Sequence, residues 1–208
     1  MREQKGSVIV VASDDQWLVV GLGNPGPEYA GNRHNVGQMV LDELAMRLSS
    51  SFKAVARTNA RVAEGRMIPG GPRFVLAKPN SYMNNSGGPV AALLAYFSLP
   101  PSQLIVVHDE LDIPFDTLRL KFGGGHGGHN GIRDIAAATG TGDFARVRVG
   151  VGRPPGRQSA ADFVLRDFTS TERGVLPNIL ADAADAVELI AADGLTAAQQ
   201  RYHAPPPA

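Results

Sequence analysis

WLVVGLGNPGPEYAGNRHNVG, residues 17–37, begins as a short apolar strand, breaks at a Gly/Pro-rich turn and continues as a polar loop with one histidine. Asn24 stands where the strand runs out, and His34 follows in the loop between Arg33 and Asn35. Beyond it Val36, Met39, Val40, Leu44 and Leu48 recur at helical spacing, which predicts a helix over 36–48. A strand, a turn bearing polar side chains and a helix form a βα unit, and open α/β sheets keep their sites at the carboxyl ends of such strands.

The same stretch contains GLGNPG, which formally satisfies the dinucleotide fingerprint G-x-G-x-x-G. Physical chemistry argues against that reading. Pro25 and Pro27 lack the N–H groups that a phosphate-cradling helix start would offer. The helix also fails to open at the third glycine, because a polar loop intervenes.

Working outward, residues 61–67 and 73–77 read as strands around the turn Pro69-Gly70-Gly71-Pro72. KPNSYMNNSGG, 78–88, is a polar loop, and Pro89 suits the first turn of a helix that stops at Pro100-Pro101. QLIVV, 103–107, is a short buried strand that delivers HDELD at its end. A strand over 118–122 closes in the glycine-dense GGGHGGHNG, and a helix is predicted over 131–139. ARVRVGV, 145–151, alternates basic and apolar side chains, as a strand with one wet face would. A short element over 162–165 precedes a long alanine-rich helix over 170–190. Strands alternate with helices, so the expected fold is a single α/β domain: a twisted mixed, largely parallel sheet with helices on both faces. The domain is expected to span 17–203, with 1–16 an N-terminal extension and 204–208 a frayed tail.

Composition narrows the functional classes. A chain of 208 residues that is 43% hydrophobic supports one sizeable core. The absence of cysteine excludes disulfides and thiolate metal sites. No apolar run approaches the roughly 18 residues of a membrane span. The N-terminal patch Val8–Ala12 runs into acidic residues, a poor signal peptide, so a cytoplasmic location is expected. Net charge is zero, but it is unevenly spread. Eight basic and three acidic residues lie between Arg119 and Arg166, and six acidic and two basic ones follow from Asp167. The basic stretch could face phosphate, although on charge alone ordinary surface patchiness is the plainer account.

The chemistry-bearing side chains are His34, His108, Asp109, Asp112, His126 and His129. Zinc ligation is the weaker reading, since no pair has the i, i+4 spacing of H-E-x-x-H and His126 and His129 sit among glycines. Ser86 follows a loop and has no G-x-S-x-G elbow, so a serine nucleophile is weaker still. What remains suits a general base acting on water, with Asp109 fixing the tautomer of His34. Asn24, Asn84 and Asn130 each sit in a loop after an apolar segment, where amides can hold a substrate carbonyl or an oxyanion. For any one of them left-handed turn geometry is the blander account; three together beside a histidine and an aspartate point to a site.

Taken together, GLGNPGPEYAGNRHNVG, KPNSYMNNSG, HDELDIPFDTLRLKFGGGHGGHNG, RVRVGVGRP and FVLRDF resemble the bacterial-type peptidyl-tRNA hydrolases. The segments come in the family's order and cover nearly all of 17–203. The resemblance implies hydrolysis of the ester joining a peptide to the 3′-terminal ribose of tRNA, which frees tRNA for reuse. It implies His34 as the base, Asp109 as the residue keeping it basic, and Asn24 as the group distinguishing a blocked peptidyl substrate. Tyr29, Tyr82, Asn84 and Asn130 would line the groove for the tRNA end and nascent peptide. The family often carries phenylalanine where Tyr82 stands. Lys121 and Arg148 would hold the tRNA 5′-phosphate, and both fall inside the basic stretch. No cofactor, no metal and a monomeric state are expected. Two rivals are a different ester or amide hydrolase on the same sheet, and a non-catalytic RNA-binding protein.

Overall fold

The strand at Trp17 forms the centre of the sheet. In the computed structural model, which describes residues 16–203, β1 (Gln16–Gly21) pairs in parallel with β4 (Arg73–Pro79) on one side and β5 (Leu104–Glu110) on the other. The segments 1–15 and 204–208, on which most of the expected N-terminal extension and the whole frayed tail fall, lie outside the described residues. Beyond β4 come β3 (Ala60–Arg66) and β2 (Lys53–Val55), both antiparallel. Beyond β5 come β7 (Ala145–Gly150), parallel, and β6 (Leu118–Phe122), antiparallel at the edge. The seven-stranded order is therefore β2-β3-β4-β1-β5-β7-β6, a mixed sheet with a parallel centre.

β1 is apolar without interruption because both of its faces are covered. Val19 packs into the layer made by α1 (Val36–Arg47), α4 (Ala160–Val164), α5 (Ser170–Asp193) and α6 (Leu195–His203). Leu18 and Val20 pack into the opposite layer, made by α2 (Gly87–Phe97) and α3 (Asn130–Thr139). Val40, Leu44 and Val187 are fully buried in the first layer, as are Val90, Leu93 and Ile132 in the second. Helices thus cover both faces, as the alternation of elements predicts.

One close approach sets the geometry of the site. A β-carbon on Gly37 would overlap the Val107 carbonyl oxygen, and one on Gly21 would overlap the Gly37 carbonyl. The first turn of α1 therefore rests directly on the ends of β1 and β5, which only glycine permits. Gln38 N–H donates to Leu22 O across the same junction (3.3 Å).

Several elements differ from their sequence-based expectation. β5 does not stop at Val107; it runs through His108, Asp109 and Glu110 because each pairs with β7. α2 begins two residues before Pro89, which still lies in the first turn, where its missing N–H has no helical partner to lose. α5 is capped by Thr169 and Glu172, each side chain bonding the other's backbone N–H. β2 and α6 were not foreseen. α6 covers β6, where His203 Nε2 accepts from Leu120 N–H (2.8 Å) and Gln199 Nε2 donates to Leu120 O (3.0 Å). The basic face of β7 is also not simply wet: Arg146 is 2% exposed.

Candidate active site

The carboxyl ends of β1, β4 and β5 and the start of α3 surround a cavity of about 800 Å³. Every element that reaches it does so for a local reason. β1 ends in Leu22-Gly23-Asn24, a turn fastened to α1 by Gln38 Nε2–H donating to Gly23 O (3.2 Å). His34 sits on a single 3-10 turn, Arg33–Asn35, immediately before α1. Asp109 lies near the end of β5, on the α1 side of the sheet, and its side chain is 2% exposed. The Gly37 contact brings the two residues together.

His34 Nδ1 lies 2.8 Å from Asp109 Oδ1 and 3.0 Å from Oδ2. An ionised carboxylate only accepts, so Nδ1 carries the proton and Nε2 keeps its lone pair. Burial acts to lower the His34 pKa, but the Asp109 charge and hydrogen bond outweigh it and hold the imidazole above its ordinary 6.5. For Asp109, burial pushes the carboxyl up, while His34 and His129 bring it well below the ordinary carboxylate range. Asp109 is therefore ionised at neutral pH.

Asp109 has a second partner. His129 Nε2–H donates to the same Oδ1 at 3.0 Å. Its other nitrogen, Nδ1, caps α3 by accepting from Ile132 N–H (3.4 Å), which fixes the tautomer that donates to Asp109. His129 thus shares one Asp109 oxygen with His34, their ring centres 5.1 Å apart. Donors of His34, Asp109 and His129 lie within 4.8 Å of one another, a group of the size that can hold a cation. Here the two His–Asp separations are hydrogen-bond lengths, and each is accounted for by one N–H and one oxygen. His108, by contrast, is buried on the opposite face. Its Nδ1–H donates to Asp109 O (2.7 Å), its ring meets that of His129 edge-on at 4.6 Å, and burial lowers its pKa strongly, so it is neutral.

Three asparagines converge on the cavity with this pair. Asn24 Oδ1 accepts Met83 N–H at 2.8 Å, which turns its amide so that Nδ2 is the end left to donate. Asn24's backbone is clasped by Asn35: Asn24 N–H donates to Asn35 Oδ1 and Asn35 Nδ2 donates to Asn24 O, both at 2.9 Å. Asn84 lies on the 3-10 turn Met83–Asn85, and Asn130 is the first residue of α3. Tyr29 and Tyr82 form one rim, their rings perpendicular at 6.3 Å, with Tyr82 54% exposed. Ala160, Ala161, Val164 and Leu165 make an apolar part of the cavity wall.

Lys121 and Arg148 do not line this cavity. They stand on the face of β6 and β7, with Arg148 paired to Arg119 and Lys121 to Arg146 across the strands. Arg148 connects to the cavity through Glu110, whose Oε2 is 3.6 Å from Nη1. Arg146 turns inward instead, and its guanidinium donates to Gly124 O (2.8 Å), Gly125 O (2.9 Å) and Gly142 O (3.4 Å). The glycine-dense loop before His129 is therefore held from beneath by one cation.

Two contributors were not assigned from sequence. Asn35 reads from sequence only as a neighbour of His34, because nothing in the stretch shows that the turn folds it back onto Asn24, eleven residues earlier. His129 reads from sequence as a weak metal-ligand candidate, and its position just before the α3 helix is the sign of the bonds it makes.

The chain is similar to known proteins in sequence and in fold. A family model described as peptidyl-tRNA hydrolase matches residues 18–208. The peptidyl-tRNA hydrolase of Leifsonia xyli is 74% identical over 187 residues, covering 90% of this chain and 96% of that one. That of an Arthrobacter species is 64% identical, covering 91% and 97%. Among solved structures, peptidyl-tRNA hydrolase from Acinetobacter baumannii superposes with a TM-score of 0.82 at 34% identity, covering 92% of this chain and 96% of that one. A complex of peptidyl-tRNA hydrolase with N-propanol gives 0.83 at 35%, covering 94% and 98%.

Proposed function

The chain belongs to the peptidyl-tRNA hydrolase family, and from that premise we propose that it hydrolyses peptidyl-tRNA with His34 as general base and Asp109 as its fixed partner. The observation that carries the mechanism is the 2.8 Å contact from Asp109 to His34 Nδ1, which leaves Nε2 as the acceptor nitrogen of a side chain that lines the cavity. Water gives its proton to Nε2 as its oxygen bonds the ester carbonyl carbon. The tetrahedral oxyanion forms among amide donors, of which Asn24 Nδ2 is the one already oriented by Met83. Collapse breaks the bond to the ribose oxygen, which takes the proton back from the imidazolium. The products are a peptide carboxylic acid and tRNA with a free terminal hydroxyl.

Esters are activated acyl groups, so this route needs no cofactor or metal of its own. Tyr29, Tyr82, Asn84 and Asn130 receive the tRNA end and the peptide, while Lys121 and Arg148 hold a phosphate beside the cavity. A cytoplasmic monomer acting on its substrate alone belongs to the same reading. Among the described residues no helix is long and apolar enough to cross a membrane.

The test is release of N-acetyl-aminoacyl groups from tRNA, with and without chelator, beside unblocked aminoacyl-tRNA. Cleavage of the blocked substrate alone, unaffected by chelator, is expected. His34→Ala should keep tRNA binding and lose roughly 10²–10⁴-fold in turnover. Equal losses in binding and turnover would refute the assigned role of His34.

A further inference from the structure

Arg33, next to His34, is 4% exposed and takes no part in the chemistry proposed above. A buried cation needs partners, and its partners all lie in one distant segment. Nη1 donates to Arg166 O (3.2 Å) and Asp167 O (2.8 Å), and Nη2 donates to Glu172 Oε2 (2.6 Å). The guanidinium carbon sits 4.3 Å from the ring centre of Phe163 and 5.4 Å from that of Phe168. The backbone repeats the link: Arg33 N–H donates to Arg166 O (3.1 Å) and Phe168 N–H to Gly31 O (3.3 Å). Asn32 Nδ2 adds a bond to Asp167 Oδ1 (2.8 Å).

The segment so joined is the connection from α4 to α5. Phe163 belongs to α4, whose Ala160, Ala161 and Val164 form the apolar wall of the cavity. Glu172 completes the cap of α5, its Oε2 also accepting Thr169 N–H (2.6 Å). One side chain therefore touches the turn that carries His34, the helix that walls the cavity and the cap of the longest helix.

We propose that Arg33 is a positioning residue that locks the His34 turn to the α4–α5 connection, so that the base and the cavity wall move as one body. The planar fork matters. Two donors reach two carbonyls and a carboxylate while the flat face covers two aromatic rings, an arrangement that a lysine ammonium does not reproduce. The inference rests on His34 being the base.

The experiment compares Arg33→Lys with Glu172→Gln, whose amide oxygen can keep both the α5 cap and an acceptor for Arg33 while the charge is lost. Turnover of N-acetyl-aminoacyl-tRNA, melting temperature and NMR titration of the His34 imidazole are recorded for each. His34 faces Asp109 from β5 and His129 from the head of α3, and neither variant alters those two groups. For Arg33→Lys, kcat is expected to fall about 10- to 100-fold, because small displacements of a catalytic group are expensive. KM should stay within about threefold, and the His34 titration should move down as the imidazole loosens from Asp109. Glu172→Gln should change the same readouts in the same direction by less. A lower melting temperature with unchanged kcat and unchanged His34 titration in the folded variants overturns the proposal. If Arg33→Lys does not fold, Phe163→Leu, which removes the ring 4.3 Å from the guanidinium carbon, decides with Glu172→Gln: a parental kcat and titration in both overturn it. His34→Ala separates the two readings. Parental turnover there removes the base itself, whereas an inactive His34→Ala beside fully active Arg33 and Glu172 variants removes only the lock.

Discussion

Gly37 and Val107 meet backbone to backbone, so closely that any side chain at position 37 would collide with the Val107 carbonyl oxygen. That contact sets how far α1 stands from the sheet, and with it the distance from His34 to Asp109. Gly37→Ala is therefore expected to cost about 1–3 kcal/mol, the usual range for overpacking. It should also lower turnover, since α1 can relieve the clash only by lifting. Denaturant midpoints and kcat measured on the same preparation would check both; unchanged kcat would detach the helix from the catalytic geometry.

The pH profile follows from the direction of the His34 shift. A general base works when neutral, and the Asp109 charge and hydrogen bond, outweighing burial, hold His34 above 6.5. The acid limb of kcat/KM is thus expected to have its midpoint above 6.5. In Asp109→Asn the raising influences disappear and the lowering effect of burial stays, so the limb should move to lower pH while the maximum falls. For stability the signs are opposite. The raised His34 contributes below 6.5 and its share is lost as pH rises through its folded pKa. The depressed Asp109 contributes above 3.8 and its share is lost as pH falls toward its folded pKa. A limb that stays put in Asp109→Asn would show that another group sets it.

Lys121→Ala and Arg148→Ala should weaken tRNA binding and reduce its salt dependence. Each lost phosphate contact is expected to make the log–log salt slope shallower by about 0.7–0.9. Turnover at saturating substrate should change little, because neither residue lines the cavity. An unchanged slope would count against a phosphate role.

Arg146→Met leaves the carbonyls of Gly124, Gly125 and Gly142 without their donor. Hydrogen bonds to a charged group contribute about 1.5–3 kcal/mol each, and removing a buried cation recovers part of its desolvation cost, so a net loss on the order of 3 kcal/mol is expected. Turnover should fall with it, because His129 and Asn130 follow that loop. A loss under about 1 kcal/mol would mean that the loop holds itself.

Much of this architecture was legible in the sequence because periodicity carries it. β1 and α1 announced themselves through an apolar run and a helical stripe, and polar residues at strand ends marked His34, Asp109 and the three asparagines. The end of β5 was misplaced because polar residues seldom continue a buried strand; here pairing with β7 holds His108 and Asp109 in it. Arg146 shows the limit of alternation as a signal. A basic residue on a strand face reads as wet, and only tertiary structure supplies the ring of carbonyls that buries it. β2 is only three residues long, and α6 is polar and alanine-rich; each depends on neighbours that local sequence does not contain.

The edge of the sheet at β6 is closed by a group that titrates. His203 Nε2 accepts Leu120 N–H only while the imidazole is neutral, and burial, Arg119 and Arg148 lower its pKa to favour that form. Its contribution holds above 6.5 and is lost as pH falls through the folded value. Protonation then turns an acceptor into a donor facing a donor, so that the Leu120 N–H loses its partner while Gln199 still holds Leu120 O, and the weakened cover favours pairing with a strand from another molecule. Acid is therefore expected to drive self-association through β6 before it unfolds the core, visible as light scattering that rises while far-ultraviolet circular dichroism is still native.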